Sequence, residues 1–139
     1  MPDSSKHKAA ILVAAETGTL VTEIRRALAG EDYHLHHAKH TPQAIEMLAS
    51  PNPPVALAIV EVESLSGLDL LTHLIRQSPR TTKLIAVSGF FDDSFLQRLK
   101  AMGVDEVVQY PVNPQTWRKA ILRLLHDGPD GHGRPIPPE

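Results

Sequence analysis

The sequence predicts an α/β fold, a single domain built on a doubly wound parallel sheet. Three observations carry that prediction. The runs "AAILVAA" (9–15), "VALAIV" (55–60) and "KLIAVS" (83–88) are continuously apolar and too short for ordinary helices, the pattern of strands covered on both faces. The segments between the strands place apolar residues at helical spacing. Strand and helix signals alternate strictly, as parallel pairing requires, because each crossover is most simply made by a helix.

Each element follows in order. After the first run, Leu20, Val21, Ile24, Ala27 and Leu28 recur on one helical face, and Gly30 is placed to end that helix. "YHLHHA" (33–38) alternates and reads as a second strand. Thr41 is placed as an N-cap before Pro42, with Ala44, Ile45 and Leu48 as the helix stripe. The run 55–60 is the third strand, and Leu68, Leu71, Leu74 and Ile75 mark a helix after Gly67. The run 83–88 is the fourth strand. "DDSFLQRLKAMG" (92–103) opens on capping acids and closes on glycine, and "VDEVVQY" (104–110) is a fifth strand. Asn113-Pro114 then starts a last helix with Trp117, Ala120, Ile121, Leu124 and Leu125 inward. Residues 1–8 and the Pro/Gly-rich 127–139 carry too little apolar surface to order themselves, which leaves a domain at 9–126.

Composition narrows the function. A chain of 139 residues with 42% apolar and 22% charged residues supports one core. A formal net charge of −2 gives no basic field for nucleic acid or an anionic membrane. The lack of cysteine excludes disulfides, thiolate metal sites and a cysteine nucleophile. "MPDSSKHKAA" has no apolar signal-peptide segment, and no run approaches the roughly 20 residues of a membrane span, so the chain is read as cytoplasmic. No Gly-rich phosphate loop, Ser–His–Asp constellation or cofactor fingerprint is present, and an enzyme is not expected.

In a doubly wound sheet, sites form at the carboxyl ends of the strands near the reversal of strand order. The residues there are Ala15 and Glu16, Glu61 and Glu63, Ser88 and Gly89, and Tyr110 and Pro111. On these residues, the order of elements and the "YPVNPQTW" corner, residues 9–126 resemble the receiver domain of bacterial two-component response regulators, the CheY-like fold. The resemblance implies a flavodoxin-like sheet of order 2-1-3-4-5 and a role in signal transduction through a phosphorelay. It also implies a set of strand ends: two acids that hold a divalent cation, a phosphoacceptor aspartate, a Ser or Thr, and a Lys followed by Pro.

The chain departs from that set where the chemistry needs it most. Ala15 and Glu16 stand for the acid pair, because the alternative register turns Glu23 toward the core. Glu61 stands for the phosphoacceptor, with a shortened turn before Gly67, and Ser88 keeps the hydroxyl. Tyr110 replaces the lysine, Pro111 keeps the proline, and Val107 takes the place of the family's switch aromatic. Phosphoryl transfer to a carboxylate needs a placed nucleophile, a cation and a cationic side chain to hold the product. The extra methylene of Glu61 moves its oxygens by about 1 Å, a misplacement that costs about 100-fold.

The expectation is therefore an atypical receiver, or pseudo-receiver, acting by protein–protein interaction without phosphorylation and with no catalytic residue or obligatory cofactor. Two alternatives stay open: a phosphorylatable receiver using Glu61, and a metal- or small-molecule-sensing module in the same cleft. Glu16 and Glu61, with Glu63 beside them, are candidate weak ligands for Mg²⁺. Glu61 also reads as a permanent charge that fixes one state, or as a solvated acid at a strand end.

The remaining motifs are weaker. His34 and His36 share one strand face, with His37 on the other and His40 beyond, a spacing that fits a polar edge strand or an incomplete metal pair. Phe90 and Phe91 are adjacent in a loop and cannot both tuck inward easily. They mark a partner surface beside the face of the fourth helix, fifth strand and fifth helix, through which receivers also pair as homodimers. Arg118, Lys119 and Arg123 read as a solvated helix face.

Overall fold

The structure, a computed structural model, describes residues 9–49, 55–62, 72–73, 76, 82–89, 92–110 and 112–127. Among the described residues, nine elements have defined bounds: β1 (Ala9–Ala14), α1 (Thr19–Ala27), β2 (Tyr33–Ala38), α2 (Thr41–Ala49), β3 (Val55–Glu61), β4 (Lys83–Ser88), α3 (Asp93–Met102), β5 (Glu106–Gln109) and α4 (Pro114–Asp127). The helix expected after Gly67 falls mostly outside the described residues, although Thr72, His73 and Arg76 are helical. Of the segments expected to be unordered, 1–8 and 127–139, residues 1–8 and 128–139 also lie outside them, whereas Asp127 is the last residue of the final helix.

All five strands are parallel, in the order β2-β1-β3-β4-β5. The alternation of side chains along each central strand divides the core into two layers. Ile11, Val13, Leu57, Ile59, Ile85 and Val87 face α1 and α4, where Leu20, Ile24, Trp117, Ile121 and Leu124 meet them. Leu12, Ala14, Ala58, Val60, Leu84 and Ala86 face the other way, toward Ala44 of α2 and Leu99 of α3. The second layer is richer in alanine, so its helices approach the sheet with smaller side chains between. Burying both faces explains why β1, β3 and β4 read as unbroken apolar runs.

Local chemistry sets the helix ends. The Asp92 carboxylate accepts from Phe95 N–H at 2.8 Å, and Gly103 closes α3 at φ 108°, where a side chain would be strained. Asn113 Oδ1 likewise accepts from Thr116 N–H at 2.9 Å at the start of α4. α2 begins at Thr41, one residue before the predicted start, and β5 is shorter than the predicted 104–110. Arg118 corrects the reading of a merely solvated face. It is half-buried, donates to the carbonyls of Ala27 and Ala29 at the end of α1, and pairs with Glu31. Arg123 pairs with Glu106 of β5, so two of the three cations on α4 hold the helix to the body of the domain.

Candidate functional site

The parallel register brings the carboxyl ends of the strands into one row. Glu61 pairs with Val87, Ser88 with Gln109, and Ala14 with both Val60 and Ala38. Beyond the ladder, Tyr110 N–H donates to Ser88 O at 2.9 Å and Val62 N–H to Val87 O at 2.9 Å. These bonds hold the strand tips in step just where the chain leaves the sheet.

The central contact is made by side chains. The Tyr110 hydroxyl donates to Glu61 Oε2 at 2.5 Å, within the range of a charge-assisted O–H···O⁻ bond. Because β4 lies between β3 and β5, this bond spans over the end of β4, where Ser88 is fully buried. Glu61 and Tyr110 are each half-buried. The longer acid and the long phenol therefore meet at the position where the resemblance puts an aspartate and a lysine.

At the other end of the row, Ala15 is fully buried and Glu16 exposed. Ala15 N–H donates to Ala38 O at 3.1 Å, and the Ala15 carbonyl accepts from His37 Nε2 at 2.8 Å. His37 thus belongs to this row of strand ends, which its sequence context did not disclose. The only signal was its position on the face opposite His36, at the end of a strand next to β1. His34 and His40 are exposed and His36 is half-buried. Among the described residues, no three His, Asp or Glu side chains come together as metal ligands. Glu63, Phe90, Phe91 and Pro111 lie outside the described residues. Val107 is half-buried and packs against the layer formed with α2 and α3. Beside it, Leu96, Lys100, Val104, Asp105 and Glu106 line a groove of about 380 Å³ between α3 and β5.

A five-stranded parallel sheet with this order and its polar groups at the carboxyl ends defines a flavodoxin-like domain of the CheY type. Among solved structures, a response regulator from Thermotoga maritima is similar at 18% identity and TM-score 0.75, with 86% of this chain and 98% of that chain covered. A CheY-like response regulator receiver domain protein from Methanospirillum hungatei JF-1 is similar at 20% identity and TM-score 0.74, with 86% and 95% covered. NtrX from Brucella abortus, solved in complex with ADP, is similar at 18% identity and TM-score 0.73, but the match covers 86% of this chain and only 26% of that one. No curated protein matches the chain in sequence. Residues 11–122 match the response regulator receiver domain family, and the chain belongs to it. Receiver domains are signalling modules of two-component systems. No helix among the described residues is long and apolar enough to cross a membrane.

Proposed function

We propose that this domain is a pseudo-receiver, in which a fixed hydrogen-bonded pair replaces the phosphorylation site and which signals from the cytoplasm by contact with protein partners. The Tyr110 hydroxyl bonded to Glu61 Oε2 carries this reading. A phosphoryl group arriving at Glu61 would meet a carboxylate already engaged by a donor. It would also meet a neutral phenol where the family's lysine would balance the product's charge. Ala15 brings no carboxylate for a cation at the end of β1, which leaves Glu16 to stand alone there. Loss of nucleophile placement, cation and counter-charge all bear on one step, so the defects compound.

The same pair supports a domain held in one state. Val107 cannot act as an aromatic switch, and the bond from Glu61 to Tyr110 ties β3 to β5 across Ser88. The partner face is that of α3, β5 and α4, where the groove lined by Leu96, Val104 and Val107 offers apolar surface rimmed by Lys100, Asp105 and Glu106. Pairing with a second copy through that face is one form the contact takes.

Mass spectrometry after acetyl phosphate, with a beryllofluoride titration followed by NMR, tests the reading. The expected result is an unmodified Glu61 and no saturable shifts at Glu16, Glu61 or Ser88. An acyl phosphate on Glu61, or saturable shifts at those residues, overturns it in favour of a phosphorylatable receiver.

A further inference from the structure

We infer that His37 is a positioning residue for the corner between β1 and α1, clamping the peptide from which Glu16 departs. The inference deepens the pseudo-receiver reading, resting on it only in supposing that no bridging cation organises this corner. The β1 ladder ends at Ala14, which pairs with Ala38 and Val60. From Ala15 onward the chain leaves the sheet, and a buried backbone group there must find a new partner.

Both polar groups of Ala15 are satisfied from the same edge strand. Its N–H donates to Ala38 O at 3.1 Å, and its C=O accepts from His37 Nε2 at 2.8 Å. Two consecutive peptides are therefore held by β2, and the second is the one that ends at Glu16 N. The next four residues, Glu16 to Thr19, are all exposed, and Thr19 N–H reaches Thr17 Oγ1 only at 3.4 Å. The orientation of this exposed corner depends on the grip at its root.

The chemistry also fixes which ring nitrogen faces the corner as a donor. A carbonyl oxygen only accepts, so Nε2 must carry a proton in this contact. The contact also gives one member of the histidine-rich strand a task that none of the others shares. His34, His36 and His40 stand on or near the same edge without reaching the site row.

NMR on the full chain tests this in two ways. In the wild type, a two-bond nitrogen–proton correlation should show His37 as the Nε2–H tautomer, with its ring N–H protected from exchange. In His37→Phe, which keeps an aromatic ring and removes the donor, the Ala15 amide should exchange roughly tenfold faster, while Val13 and Val60 stay unchanged. His37→Gln, whose side-chain N–H reaches the place of Nε2, should restore most of that protection. An Nδ1–H tautomer, unchanged Ala15 exchange, equal acceleration at Val13 and Val60, or failure of the glutamine to rescue overturns the assignment. If His37→Phe does not fold, the wild-type tautomer and the glutamine variant decide. Phosphorylation at Glu61 would leave these readouts intact, so the two proposals fail separately.

Discussion

The body of the sheet and its carboxyl edge are stabilised by opposite means. In the body, residues such as Ile59 and Val60 are wholly buried, and each touches neighbours on adjoining strands and on a covering helix. Many small contacts share the task, and none is individually decisive. At the edge, directional polar bonds between particular groups stand out: Tyr110 to Glu61, His37 to Ala15, Tyr110 N–H to Ser88 O. The body fixes the fold, and the edge carries the polar groups of the site. Residues at the edge can therefore change while the body keeps the receiver fold.

That contrast is breakable by substitution. The largest effect belongs to the body: Ile59→Ala should lower stability by about 2–5 kcal/mol, measured by urea unfolding, because it removes a transfer contribution and leaves a cavity. Next, Ala58→Leu should cost about 1–3 kcal/mol by overpacking the alanine-rich layer under α2 and α3. If that layer absorbed the larger side chain without loss, the two faces of the sheet would not be packed to the same standard. At the edge, Tyr110→Phe should cost only about 1.5 kcal/mol globally. Its signature is local, with faster amide exchange at Tyr110 and Val62 and none at Val13. Smallest is Asp92→Ala, which removes the cap of α3 at about 1 kcal/mol, read by the same unfolding curve. A Tyr110→Phe loss as large and as widespread as that of Ile59→Ala would erase the distinction between body and edge.

The same division explains what the sequence disclosed. The body was legible because burial on both faces writes itself as continuous apolar runs, of which "KLIAVS" matches β4 residue for residue, and the alternating edge strand "YHLHHA" matches β2. The participants at the edge were legible too, since Glu61 and Ser88 end strands and Tyr110 follows one, and the ends of those strands must converge. What they do to one another was not. The bond from Tyr110 to Glu61 joins residues separated by a whole strand, and on the Glu61 side it uses a side chain one methylene longer than aspartate. His37 was obscured by its own neighbourhood, because four histidines in eight residues suggest a shared property, while the fold singles out one. Arg118 misled for a similar reason: its pattern on α4 is that of an exposed face, and only the end of α1 lying alongside reveals the carbonyls it caps.

Trp117 is the chain's one tryptophan, 1% exposed, with an indole N–H that has no hydrogen-bond partner among the described residues. It packs in the same cluster that Tyr110 lies against. The protein thus carries its own optical probe: a lone indole, sealed from water, in the cluster against which Tyr110 packs. Detachment of Tyr110 is therefore expected to register as a shift in tryptophan emission, in unlabelled protein and before the domain unfolds.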